Sequence, residues 1–122
     1  MKSAKFSIAF LIFLATVIIA NSLYISNVTK GLAKKVDLID TKNTEQCAIE
    51  YKKLFSEFHK AEKFISITVS HDDLTNIEES FSDIIGAAEA GMEGYVIMIK
   101  SRLKDSLEHL GRLSGINLES II

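Results

Sequence analysis

The chain contains no proline and no tryptophan, one cysteine, Cys47, and six glycines among 122 residues. Without proline the strongest helix breaker is missing, and so few glycines leave little else to interrupt a helix, so long helices are expected. A lone thiol excludes an internal disulfide, and the fold must hold by packing alone. Cys47 lies far behind the N-terminal apolar run, which excludes a lipoprotein-type acylated cysteine. It is read as a small apolar helix residue. Positive charge is not in excess either. The formal net charge is −2, and because the first 25 residues carry Lys2 and Lys5 with no acid, the remainder stands at −4. That balance offers no basic stripe and argues against nucleic acid as a partner. Glycine-rich phosphate loops, nucleophile elbows, and HxxxH or ExxH spacings are absent too, so no enzyme activity and no cofactor is expected.

What is present is one long apolar run, Phe6 to Ile25, of 20 residues with no charge. A helix of that length reaches ~30 Å, the hydrocarbon thickness of a bilayer. The lipid bilayer is therefore the first expected partner. Lys2 and Lys5 form a basic n-region that suits a signal-anchor or a cleaved signal equally. Ala20-Asn21-Ser22 is an acceptable cleavage site, but the run exceeds the roughly 7–15 apolar residues of a cleaved segment and continues through Leu23, Tyr24 and Ile25. Tyr24 falls where an interfacial aromatic sits. A retained single-pass anchor in the cell membrane is the favoured reading, with cleavage the alternative. Lys30, Lys34 and Lys35 oppose the charge bias of Lys2 and Lys5, yet a short basic N-terminal tail usually stays inside, so the domain is expected outside the cytoplasm. Asn27-Val28-Thr29 matches a glycosylation acceptor, but so short a match beside the membrane carries no weight.

The organisation that follows is 1–25 for the n-region and anchor, 26–43 for a juxtamembrane helix and break, and 44–122 for a bundle domain. Val28, Leu32, Val36 and Ile39 continue a helical period out of the membrane. Asn43 with Gln46 has capping-box spacing for a second helix from about Thr44 to Val69, whose apolar face is Cys47, Tyr51, Leu54, Phe55, Phe58, Ala61, Ile65 and Val69. Glu57 and Lys60 are expected to pair on its wet side. The β-branched run from Phe64 to Val69 has no partner strand and is kept helical. Ser70 is read as the N-cap of a third helix, with Asp73 at the capping-box position, and Leu74, Ile77, Phe81, Ile84, Ile85 and Ala88 form its stripe. Gly91 is its left-handed stop. A fourth helix from about Met92 to Leu113 carries Met92, Val96, Ile99, Leu103, Leu107 and Leu110. The tail to Ile122 is expected to fold back on the bundle. Such stripes are buried together most economically in an all-α fold, a single transmembrane helix followed by an up-down antiparallel bundle of three to four helices.

The segments ISITVSHDDLTNIEESF, LKDSLEHL and the terminal NLESII carry a resemblance. From about Phe64 to Ile122 the chain is similar to domain-of-unknown-function family 4363, short membrane-anchored proteins of clostridia-like bacteria. The match covers about half the chain, and Phe55, Phe58 or Phe64 stand where such proteins often carry tryptophan. The resemblance implies a membrane-tethered helical bundle and no activity.

In an up-down bundle the start of the third helix and the end of the fourth share one end. His71 and His109 are therefore weak candidates for a metal site, with Asp72, Asp73 or Glu108 nearby. The competing and stronger reading gives His71 a hydrogen-bonding role at a helix start and makes His109 a packing or capping residue. His59, well before its helix end, does not join them. Phe64, Ile67, Ile97 and Met98 exceed the apolar residues a small bundle must bury. They belong either to a wide core or to a contact surface. The expected function is a membrane-anchored, non-enzymatic protein-interaction or scaffold module, its partner another protein or a second copy. The alternative is an extracytoplasmic small-ligand or metal-sensing domain.

Overall fold

A computed structural model of the chain describes residues 2–65 and 70–121, with the side chains of residues 3–65 and 70–113. Four helices follow in order: α1 Lys2–Leu38, α2 Thr44–Ile65, α3 His71–Glu89 and α4 Glu93–Ile121. They pack as a four-helix bundle. Each helix lies beside the ones before and after it, and α4 closes against α1, so α1 faces α3 across the core. The apolar run and the juxtamembrane helix are one continuous element, and its outer half is a full wall of the bundle. Helix α1 is long and apolar enough to cross a membrane.

The core is built from the expected stripes. Leu32 and Val36 of α1, and Ile39 just past its end, are buried with Cys47, Tyr51, Leu54, Phe58, Ala61 and Ile65 of α2. Leu74, Ile77, Phe81, Ile84 and Ala88 of α3 join them, as do Val96, Ile99, Leu103, Leu107 and Leu110 of α4. Val28, Phe55 and Ile85 are half-buried at its edge. Met92 departs from the pattern: it lies in the turn before α4 and is 52% exposed. The cause is the way α3 ends. Gly91 adopts a φ of 72°. Its N–H donates to the Ala88 carbonyl at 3.1 Å, and the Met92 N–H donates to the Ala87 carbonyl at 2.9 Å. This Schellman closure satisfies the last carbonyls of α3 and leaves Met92 outside the next helix. Val69 and Ile67 lie outside the described residues.

Helix starts are capped by side chains. The Asn43 side-chain oxygen accepts from the Gln46 N–H at 3.2 Å and opens α2. Ser70, in extended conformation, accepts from the Asp73 N–H at 3.3 Å and donates its hydroxyl to the Asp73 carboxylate at 2.8 Å. Such caps typically contribute ~1 kcal/mol. Helix α4 does not stop near Leu113. It runs on to Ile121 without a break, so the tail extends the helix rather than turning back; the side chains of Leu118, Ile121 and Ile122 lie outside those described.

Every seam of the bundle carries a surface ion pair. Lys35 meets Glu57 between α1 and α2 at 3.0 Å, and Lys52 meets Glu89 between α2 and α3 at 2.6 Å. Arg102 meets Asp83 between α3 and α4 at 2.8 Å, and Lys104 meets Asp37 between α1 and α4 at 3.4 Å. Glu57 therefore serves a neighbouring helix, not Lys60 on its own, because the α1–α2 seam brings Lys35 across to it. Exposed pairs contribute at most ~1 kcal/mol each, and their main effect is on which helix face meets which.

Helices α1 and α4 approach closely at Gly111. A Cβ added at Gly111 would stand 2.9 Å from the Thr29 hydroxyl oxygen. Thr29 is fully buried, and its hydroxyl donates to the Ile25 carbonyl at 2.8 Å. At the other end of the seam, Lys100 reaches the Ile39 carbonyl at 3.2 Å. The two contacts fix α4 antiparallel to α1, with its C-terminal half running toward the apolar span.

Candidate functional site

Among the described residues, three regions outside the core stand out for the side chains they bring together. One is a groove of ≈ 740 Å³ between α3 and α4, lined by Asp73, Asn76, Ile97, Met98, Arg102 and His109 among others. His109 is exposed there. His71, the first residue of α3, is also exposed and does not line that groove. The groove sets His109 near Asp73 and Asp105, so it is mixed in charge. Ile97 and Met98 are 51% and 58% exposed at its edge, outward-facing on α4.

A second groove, ≈ 500 Å³, follows the α1–α2 seam. Val28, Leu32 and Ala61 contribute apolar lining and Lys35, Glu57 and Lys60 polar lining. At its end nearest the apolar run the Tyr24 and Phe64 rings meet edge to face with centroids 5.9 Å apart. Phe64 is 56% exposed, so this aromatic pair lies on the surface where the apolar span gives way to the bundle.

The third region is compact. Among the described residues, His59, Glu62 and Glu78 place one ligand atom each within 4.8 Å of one another. His59 and Glu62 come from one face of α2 at i and i+3, and Glu78 comes from the adjoining face of α3. The His59 Nδ1 lies 3.2 Å from the Glu62 carboxylate. Its ring stacks on Phe55 with centroids 4.3 Å apart, and Phe55 stacks on the buried Phe81 of α3 at 5.0 Å, nearly parallel. The imidazole is thus braced from the core. A hydrogen bond with Glu62 raises the Glu78 carboxyl above the ordinary glutamate value. Burial and the Glu62 charge add to this, while His59 and His71 pull the other way. Two carboxyls facing each other need a proton or a cation between them.

Neither HxxxH nor ExxH spacing points to this group. His59-Lys60-Ala61-Glu62 is the forward HxxE order, which puts both side chains on one helix face just as well. Glu78 reads in sequence as solvated charge beside Glu79, and only the packing of α2 on α3 brings it to the other two.

Two further groups titrate away from their usual range for structural reasons. Burial pushes the Cys47 thiol up, with Glu50 adding to the effect. Burial likewise raises the Tyr51 hydroxyl, which points at the Val36 carbonyl over a long 3.4 Å. Both belong to the core. Among the described residues no buried side-chain nitrogen or oxygen lacks a hydrogen-bond partner. No family model, no curated protein and no solved structure matches the chain.

Proposed function

We propose that the chain is a single-pass membrane protein whose bundle acts outside the cytoplasm as a non-enzymatic interaction or scaffold module at the cell envelope. Its partner is another protein or a second copy of itself. The observation that carries this reading is the outward face of α4, where Ile97 and Met98 stand exposed beside the α3–α4 groove although the core is complete without them. Apolar side chains clustered beside a groove favour a protein contact. Retention of the anchor is supported by the continuity of α1: Ser22, at the candidate cleavage site, is buried, and the helix passes through it unbroken. Membership in domain-of-unknown-function family 4363 is part of the same proposal and rests on the sequence segments alone.

The test is site-specific photo-crosslinking in intact membranes, with the crosslinker at Ile97 or Met98 and a control at Lys53 on the opposite side. A defined adduct, at twice the chain mass or with one distinct protein, from the α4 positions alone supports the reading. Equal or absent crosslinking at all three positions refutes it. The second reading, a ligand- or metal-responsive domain, is favoured by one observation, the His59–Glu62–Glu78 group.

A further inference from the structure

We propose that His59, Glu62 and Glu78 form a binding site for a divalent first-row transition ion, zinc being the natural probe, that clamps α2 to α3 on the membrane-proximal half of the bundle. The site does not depend on the α4 contact surface, and failure of either proposal leaves the other standing.

The donor set is one imidazole nitrogen and two carboxylates, with ligand atoms within 4.8 Å of one another. Imidazole suits zinc, copper, iron and nickel, while carboxylate oxygens alone favour magnesium or calcium, so the nitrogen selects the transition series. Zinc binds nitrogen and oxygen ligands at about 2.0–2.2 Å, which sets tetrahedral ligand atoms about 3.4 Å apart. With all ligand atoms within 4.8 Å, the widest pair has to close by at most about 1.4 Å, a side-chain adjustment. His59 Nδ1 and the Glu62 carboxylate, at 3.2 Å, already have nearly that separation.

Charge points the same way. Two ionised carboxylates match the two charges of the ion, and His59 coordinates as the neutral ring. The carboxylates of Glu62 and Glu78 face each other with ligand atoms within 4.8 Å. A cation replaces that contact with two bonds of its own. Orientation is supplied by the stack of His59 on Phe55 and of Phe55 on Phe81, which ties the ligand ring to a fully buried residue of the partner helix. Bracing of this kind is what separates a site from a chance meeting of charges. Three protein ligands leave at least one coordination position for water or an added ligand. Because the ligands come from two helices, an ion that binds the folded bundle stabilises the α2–α3 pairing.

The experiment uses the full chain in detergent micelles. Thermal unfolding is followed by circular dichroism with and without zinc, and cobalt(II) absorption reports the ligand field directly. Free zinc at 100 times its dissociation constant shifts the unfolding equilibrium about 100-fold toward the folded state. That shift and the cobalt band are expected in the parent chain and in His71→Ala and His109→Ala, and are expected to vanish in His59→Ala and Glu78→Gln. Both of the latter positions are exposed or half-buried, so these variants fold, and their metal-free circular dichroism verifies it. A parent chain that zinc leaves unmoved overturns the proposal. So does a shift that survives in both His59→Ala and Glu78→Gln, because the ion then binds elsewhere.

Discussion

The substitution Gly111→Ala tests the close approach of α4 to α1. On helix propensity alone the change stabilises α4 by about 1 kcal/mol, since alanine is the better helix former. Against that, the new methyl stands 2.9 Å from the Thr29 hydroxyl oxygen. Thr29 cannot turn aside cheaply. It is β-branched, fully buried, and its hydroxyl is shared between the carbonyls of Ile25 at 2.8 Å and Ser26 at 3.2 Å. Rotating it breaks both bonds inside the core. Overpacking of this kind costs about 1–3 kcal/mol, so the net effect in the parent chain runs from about zero to 2 kcal/mol destabilising. In a Thr29→Ala background the obstacle is gone, and the same Gly111→Ala change stabilises by about 1 kcal/mol. The sign inverts between backgrounds, with a coupling of about 1–3 kcal/mol in the double-mutant cycle. For a domain this small, 1 kcal/mol moves the melting temperature by roughly 4–8 °C, well within reach of circular dichroism in micelles. If Gly111→Ala raises the melting temperature equally in both backgrounds, α4 does not lie against α1 at Thr29, and the register of the main seam is wrong.

Gly86 sits in α3 with open space where a Cβ would go, so Gly86→Ala raises stability by about 0.5–1 kcal/mol, read as a higher melting temperature. Glu78, raised chiefly by its hydrogen bond with Glu62, contributes stability that is full below the ordinary glutamate range and is lost as pH rises through its folded value. Glu78→Gln keeps the hydrogen bond without the charge. Its melting temperature therefore exceeds that of the parent by a margin that widens from acid to neutral pH, and a flat or shrinking margin contradicts the assignment. Cys47 is fully buried with its thiol pushed up, so iodoacetamide labels it only at the rate of bundle unfolding; rapid labelling under native conditions would remove it from the core.

Where one helix face carries one apolar period, the fold is legible in the residues themselves. The stripes of α2, α3 and α4 and the stop at Gly91 need only spacing and turn chemistry. Met92 escapes such a reading because a stripe followed by period alone runs straight through a Schellman closure, and the hydrogen bond from Met92 back to Ala87 overrides it. The ion pair of Glu57 goes to Lys35 because local i, i+3 arithmetic cannot see a neighbouring helix. Gly111 carries no signal in the stripe pattern, and only the packing of α4 on α1 shows that it lets two helices approach. The His59–Glu62–Glu78 group is half legible: the two α2 residues share a face by spacing, but Glu78 joins them only through the α2–α3 register.

The packing of α4 on α1 explains why the span and the bundle have no linker between them. Burial along α1 begins at Ser22, continues through Ile25 and Thr29, and is maintained to Ile39, so the last turn of the apolar run already belongs to the folded domain. Gly111 lies opposite Thr29, and α4 ends at Ile121, ten residues further on. At the helical rise that is about 15 Å, which brings the end of α4 level with the region of Ile19, inside the apolar run. Two helices, not one, therefore extend alongside the apolar run at that end of the bundle. A single helix entering a bilayer can swivel about its axis with little cost. One clasped by a second helix across the boundary cannot, because turning α1 separates Thr29 from Gly111 and opens the buried seam. In the membrane-tethered reading the bundle is thus held at a fixed rotation and height relative to α1, with Tyr24 and Phe64 near the boundary. Ile97 and Met98 lie beyond Lys100, which meets the Ile39 carbonyl, and so stand about 20 Å along α4 from Gly111, at the end of the bundle away from the apolar run, where a partner is not confined to the plane of the membrane.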